Sequence, residues 1–190
     1  MLWRYMLILQ KQGEKNYLCN MKKIGILSDT HGYIDERIYK YFAECDEIWH
    51  AGDWGSIDTV NLLQAFKPVR GVYGNIDDYV IRTVYPEHIR FMCEEIDVWI
   101  THIGGYPDHY DVKVKPEIFR NPPKLFISGH SHILKVMYDK KLGLLHINPG
   151  AAGKKGWHKI PTIIRLEIDG QNIQNLEVIE LPNPLREEKV

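Results

Sequence analysis

The stretch KIGILSDTHG, residues 23–32, decides how the chain folds. Its first half is small and apolar, the composition of a buried strand, and it ends abruptly in Asp29, Thr30 and His31. Working outward, IDERIYKYFAEC (34–45) places Ile34, Ile38, Tyr41, Phe42 and Cys45 at helical spacing. EIWHAGD (47–53) reads as a short strand running into a loop. SIDTVNLLQAF (56–66) reads as a second helix, capped by Ser56 or Asp58 and stopped just before Pro68. VRGVYGNID (69–77) is a third strand into a loop. This β-α-β-α-β alternation predicts a layered α/β domain.

The second half is richer in strand. IRFMCEEIDVWITH (89–102) reads as a hairpin pair, and KLFISGHSH (124–132) and LGLLHINPGAAG (142–153) as apolar strands ending in glycine-rich loops. PTIIRLEIDGQNIQNLEVIEL (161–181) predicts a terminal hairpin turning at Asp169-Gly170. About ten strands are too many for one compact sheet, so two packed sheets flanked by helices are expected. Residues 21–182 are expected to form a single domain, with 1–20 a non-core extension and 183–190 a frayed tail. MLWRYMLIL at the start is shorter than the roughly 20 apolar residues that span a bilayer. The formal net charge of −1 offers no global field for nucleic acid or an anionic membrane. Three scattered cysteines (Cys19, Cys45, Cys93) with no CxxC suit reduced thiols in a cytoplasmic protein.

Five strand ends share one peculiarity. They close in Asp29-x-His31, Gly52-Asp53, Gly74-Asn75, Thr101-His102 and Gly129-His130-x-His132. Taken singly, Asp29, Asp53 and Asn75 are ordinary turn or cap residues, and His102 an ordinary hydrogen-bonded histidine. Taken together they are far more specific, because strands of an α/β domain gather their carboxyl ends on one edge, where ligands bind. Three carboxylate or amide groups and four imidazoles are about what two adjacent divalent ions need. A nitrogen and oxygen set without thiolate suits Mn²⁺, Fe²⁺, Zn²⁺, Co²⁺ or Ni²⁺ better than a structural zinc site, and Mn²⁺ is the ion expected here. His50 and His146 read as structural histidines.

The order D-x-H, G-D, G-N-x-D, T-H and G-H-x-H resembles the calcineurin-like metallophosphoesterases, and most nearly their small YfcE-type phosphodiesterase branch. The resemblance covers about residues 21–168 and includes the Asn-Pro-Gly turn at 148–150. It implies a four-layer α/β/β/α sandwich of two mixed sheets flanked by helices, the metallo-dependent phosphatase-like fold. It also implies one metal on Asp29, His31, Asp53 and His132 and a second on Asp53, Asn75, His102 and His130, with Asp53 bridging. Asp53, Asn75 and His102 would carry catalysis of phosphodiester hydrolysis, by in-line attack of a metal-bridging hydroxide on a small phosphate ester.

Departures from the family pattern matter. Ile76 stands where some members have a histidine that protonates the leaving group, and Thr101-His102-Ile103-Gly104 lacks the second histidine of T-H-G-H. Ala151 stands where a serine often follows the turn. His109 and His158 are weak candidates for substrate contact or the missing acid, within rims that include Tyr106, Tyr110, Lys154, Lys155 and Trp157. Asp77 reads as a loop or supporting residue. The rival readings are a non-catalytic protein-interaction scaffold of the same fold, and a nuclease, for which no groove is evident. A homo-oligomer is left open.

Overall fold

The computed structural model describes residues 21–156 and 160–182. The expected extension 1–20, the tail 183–190, Trp157 and His158 therefore lie outside the described residues. One sheet has the order β12-β11-β1-β2-β3. Its strands are β1 (Lys22–Leu27), β2 (Glu47–His50), β3 (Val69–Gly71), β11 (Thr162–Asp169) and β12 (Asn172–Glu180). The second has the order β4-β5-β8-β10-β9. It comprises β4 (His88–Cys93), β5 (Ile96–Thr101), β8 (Leu125–Ile127), β9 (Lys135–Asp139) and β10 (Leu144–Asn148). A small hairpin, β6 (Gly105–Tyr106) and β7 (His109–Tyr110), stands apart. The helices are α1 (Arg37–Tyr41), α2 (Ile57–Phe66), α3 (Tyr79–Val84) and α4 (Lys115–Arg120).

Both sheets are mixed. β1, β2 and β3 run parallel (Ile26 opposite Trp49, Trp49 opposite Arg70), while β11 and β12 are antiparallel. β5, β8 and β10 run parallel, bordered by antiparallel β4 and β9. Strand alternation builds the layers. Ile24 and Ile26 of β1 face Val98, Ile100, Leu125 and Ile127 across the space between the sheets. Leu27, the odd neighbour, turns to the helix side, where Ile38, Phe42, Leu63 and Ile81 cover it. On the other flank Trp99 and Phe126 pack against Val114 and Ile118 beside α4. The result is the expected α/β/β/α sandwich.

The differences from the sequence reading are local. The helix expected over 34–45 is regular only at Arg37–Tyr41, because the Asp35 carboxylate binds the Arg37 N–H and guanidinium and fixes a turn before it. Ser56, not Asp58, caps α2, accepting from Thr59 N–H. Helices α3 and α4, strand β9 and the hairpin β6–β7 were not expected. α3 (YVIRTV) is rich in β-branched residues and owes its start to the Asp78 cap, which accepts from Ile81 N–H. Cys45 and Cys93 are free thiols. Among the described residues no helix is long and apolar enough to cross a membrane.

Candidate metal centre

The five strand ends meet at one edge, and both sheets contribute. β1, β2 and β3 lead into Asp29, His31, Asp53 and Asn75, while β5 and β8 lead into His102, His130 and His132. Backbone hydrogen bonds zip the loops together: Asp29 N–H to Gly52 O (2.9 Å), His31 N–H to Asp53 O (3.0 Å), and Gly129 N–H to His102 O (2.9 Å). Space is tight. A Cβ at Gly52, where φ is +92°, would lie 2.7 Å from the His102 ring, and one at Gly74 would overlap the Asp53 carboxylate. Asp29, His31, Asp53, His130 and His132 all hold left-handed backbone conformations, φ between 50° and 67°. Such conformations are costly for non-glycine residues and cluster at functional sites.

One quartet converges. Ligand atoms of Asp29, His31, Asp53 and His132 lie within 4.8 Å of one another. The Nε2 atoms of His31 and His132 face each other at 3.1 Å. His132 Nε2 is 3.2 Å from Asp29 Oδ1, yet that oxygen is fully buried without a hydrogen bond. An orphaned carboxylate oxygen beside two ring nitrogens is a poor arrangement for protein alone and a good one around a cation. The second set is partly assembled. His102 Nε2 lies 3.0 Å from Asn75 Oδ1 and 3.2 Å from Asp53 Oδ1. Its Nδ1 must donate to Ala51 O (2.8 Å), since a carbonyl only accepts, so the neutral ring turns a bare lone pair toward those oxygens. His130 stands edge-on to His102, with ring centroids 5.3 Å apart, and is exposed.

Electrostatics follow from burial and the two carboxylates. Burial lowers the His31 pKa. Burial opposes charging of His102 too, but contact with Asp53 and the Asp29 charge outweigh it and raise its pKa. The Asp29 carboxylate raises that of His132. Asp53 is buried, which opposes its ionisation, yet the positive charge that His102 carries when protonated and the N–H of Ile76 hold its pKa below the usual range. This donor set, with an orphaned acid and an oriented imidazole, fits divalent metal ions.

Around the centre sit supporting residues, of which the sequence marks Asp77 and His50 but not Arg82 or Asn148. Asp77 is buried and accepts three backbone N–H bonds, from Asp53 (3.1 Å), Gly55 (2.9 Å) and Gly74 (2.7 Å), tying the two loops that carry Asp53 and Asn75. Arg82 of α3 donates to the carbonyls of Gly74, Asn75 and Asp77. Asn148 donates to Gly129 O (2.8 Å) and so anchors the loop of His130 and His132. His50 is buried and, through burial, its pKa is pushed well down. It accepts at Nδ1 from Gly52 N–H, contacts Thr30 Oγ1 and stacks on Trp54 at 3.6 Å. No signal marked Arg82, because its partners are carbonyls. Asn148 could have been suspected from its Asn-Pro-Gly turn.

The rim residues separate. Tyr106 and His109 share the hairpin β6–β7, their rings 5.0 Å apart. Tyr110 is no rim residue: it packs in the core beside α4 and its hydroxyl donates to Asp139. Lys154 lies over the Tyr33 ring at 3.9 Å, and Lys155 is close enough to His31 to lower its pKa further. The Ile76 side chain is 48 % exposed and offers no proton.

Comparison with known proteins agrees with this geometry. Residues 21–171 match the model of the calcineurin-like phosphoesterase superfamily domain. A probable metallophosphoesterase of Methanothermobacter thermautotrophicus is 30% identical over 170 residues, covering 85% of this chain and 94% of that protein. A structurally characterised archaeal phosphodiesterase superposes with a TM-score of 0.66 at 22% identity, over 84% of this chain and 99% of the other. Vps29 of Entamoeba histolytica, solved in complex with zinc, gives 0.66 at 15% identity over 84% and 98%. At those identities the two structures bear on the fold alone, whereas the domain match spans every strand end that carries a donor. The chain therefore belongs to the calcineurin-like phosphoesterase superfamily.

Proposed function

We propose that this metallophosphoesterase is a dinuclear phosphodiesterase acting on small phosphate esters, with Mn²⁺ as its working ion. The observation that carries the reading is the orphaned, fully buried Asp29 Oδ1 facing His132 beside a His102 ring whose bare nitrogen is aimed at Asp53. Asp29, His31, Asp53 and His132 would hold one ion, and Asp53, Asn75, His102 and His130 the other. When bound, the ions supply Lewis-acid charge neutralisation and activate water near neutral pH.

The chain's own groups do the rest. Asp53 presents Oδ1 toward His102 (3.2 Å) and Oδ2 toward His31 (4.0 Å), so each oxygen serves one side of the centre. Ala51 O holds the His102 ring in the tautomer that leaves Nε2 free to ligate. Asn75, exposed at the loop tip, can place a phosphoryl oxygen with its amide N–H₂ while its Oδ1 faces His102. With Ile76 beside it, departure of the alcohol goes unassisted from that position, so esters with acidic leaving groups are favoured. His109, on the hairpin, is the described candidate for substrate contact. The free thiols Cys45 and Cys93 suit a cytoplasmic setting.

The scaffold reading predicts decayed donors, and all seven positions here hold competent ones. Purified full-length chain, stripped with a chelator and reloaded with Mn²⁺, should cleave bis(p-nitrophenyl) phosphate faster than p-nitrophenyl phosphate. Faster cleavage of the monoester would make it a phosphatase. No cleavage of either, with any of the five ions, would favour the scaffold.

A further inference from the structure

The two large sheets end in four outer strands, β3, β4, β9 and β12. An outer strand presents unpaired backbone N–H and C=O groups, and proteins guard such edges with short length, charge or a bulge. Three of the four are guarded in these ways. β3 has only three residues. β4 carries Arg90, held on Asp97 at 2.6 Å. β12 breaks register opposite Arg165 and Glu167, with Asn175 at a φ of 50°, and exposes Glu177 and Glu180.

β9 has none of these devices. Its sequence is KVMYD, and its register with β10 runs unbroken from Lys135 to Asp139. Among the described residues it pairs with β10 alone. The middle of the strand is apolar and open: Val136, Met137 and Tyr138 are exposed, Tyr138 to 61%. Ile133 and Leu134, just before the strand, are exposed too and continue that apolar surface. The charges at its two ends are turned onto their own molecule. The Lys135 ammonium lies over the Tyr106 ring and forms no ion pair among the described residues. The buried Asp139 carboxylate accepts from the Tyr110 hydroxyl (2.8 Å) and the Lys141 N–H (2.8 Å).

We infer that β9 is a homodimer interface, at which two copies of this chain join their β9 strands antiparallel about a two-fold axis through Met137. The inference is independent of the phosphoesterase reading. Two five-stranded sheets then become one continuous sheet. The strand's own pattern selects a second copy as its partner. A two-fold axis normal to the sheet pairs residues of the same face. Centred on Met137, it sets Lys135 opposite Asp139, Val136 opposite Tyr138, and Met137 opposite its own copy. Opposite charges and a branched residue against an aromatic one are favourable cross-strand neighbours. An axis moved to Tyr138 sets Lys135 opposite Lys141, a repulsive pair, and one moved to Val136 sets Asp139 opposite Ile133. One register is therefore selected, as a specific interface requires. The two-fold closes after two copies and leaves β9 no free edge for a third. A standard interface takes about 800 Å² from each partner around an apolar centre. Five exposed apolar side chains along one margin supply that centre.

The test is sedimentation velocity on the full-length protein across about 1–100 μM, the weak end of the affinity range of such interfaces. The wild-type chain should sediment as a dimer at the upper end. Met137→Lys sets two ammonium groups face to face across the axis and should weaken the dimer at least about tenfold. Circular dichroism checks that the variant folds. Met137→Cys reads the register independently. Antiparallel partners have Cα atoms about 4.5–5.5 Å apart, within disulfide reach, so mild oxidation should link two copies through residue 137. Tyr138→Cys sets its thiols on residues too far apart to bridge, beyond about 7 Å, and should not link. A wild-type chain that stays monomeric throughout overturns the inference. If the β9 amides of that monomer are protected from hydrogen exchange, another segment of the chain covers the edge. A dimer that survives Met137→Lys and does not link through Met137→Cys uses a different surface and overturns the inference as well. Linkage through Tyr138→Cys but not Met137→Cys overturns the axis at Met137.

Discussion

Asp53 has two oxygens and two clients, and that division of labour makes it the most exposed residue to test. Asp53→Asn keeps the shape, removes the charge and gives one side of the centre an amide N–H₂ in place of an acceptor. Metal content and phosphodiesterase rate should both fall by more than about 100-fold, beyond the 10- to 100-fold that loss of an outer partner brings. Elemental analysis of the purified variant checks the first and steady-state kinetics the second. Full metal with full activity would refute the shared-carboxylate assignment. Asp77→Asn should behave as an outer partner, losing 10- to 100-fold in metal affinity, because an amide cannot accept all three backbone N–H bonds from Asp53, Gly55 and Gly74. The seven candidate donors are legible in the sequence because a polar, charged or imidazole group at the end of an apolar strand conflicts with burial. Asp77 reads there as a loop or supporting residue without its partners and Arg82 not at all, since both act on backbone atoms that sequence spacing does not bring together.

Strands carried the clearest sequence signal and short helices the weakest, for a physical reason. A strand between two covered faces must be apolar along its length, as KKIGIL and IDVWIT largely are, whereas α1 and α4 have five and six residues and too few turns to show a period. β9 escaped notice because it is an edge strand with Val136, Met137 and Tyr138 exposed, so no burial pattern imposes alternation. Helix α3 matters most among the elements missed, because it carries Arg82 to the carbonyls of Gly74 and Asn75. Asp78→Ala removes its cap and should cost about 1 kcal/mol, read as a lower denaturant midpoint. The same variant should lower activity through the Asn75 loop. Loss of stability with unchanged activity would show that Arg82 holds the loop without help from α3. Strand β10 makes a prediction of a different kind. His146 titrates near 6.5 in the unfolded chain and near about 4 in the fold, lowered by burial. Above pH 6.5 it is neutral in both states. As pH falls from 6.5 to about 4, the unfolded chain takes up a proton that the fold refuses, so stability drops across that window, by up to about 3 kcal/mol. His50, also lowered by burial, acts with the same sign. Denaturant titrations of metal-free protein at pH 7 and pH 4.5 would reveal it, and a His146→Phe variant that folds should show the smaller drop.

At the scale of the whole molecule, the strand count announced two sheets, but their order could not be read, because β11 and β12 join β1 from about 140 residues away. That pairing has a consequence for stability. The first sheet supplies Asp29, His31, Asp53 and Asn75 and the second supplies His102, His130 and His132, so an ion in either proposed position would bond across the seam between the sheets. The apolar cluster of Ile24, Ile26, Val98, Ile100 and Leu125 holds the rest of that seam. At the site end, the Asp29 carboxylate and the crowded imidazoles meet without a hydrogen bond for Asp29 Oδ1. Metal bound only by the folded chain stabilises it by RT ln(1 + [M]/Kd), about 2.7 kcal/mol for a single site at a hundred times its Kd. For a chain of 190 residues that corresponds to a rise in melting temperature of roughly 5–10 °C. Calorimetric scans with saturating Mn²⁺ and with excess chelator should therefore differ by about that much, and Asp53→Asn should abolish the difference. A melting temperature indifferent to metal in the wild-type chain, with metal shown to be bound, would mean that the unfolded chain holds the ions as well as the folded one does, and a centre assembled by the fold from both sheets would have to be given up.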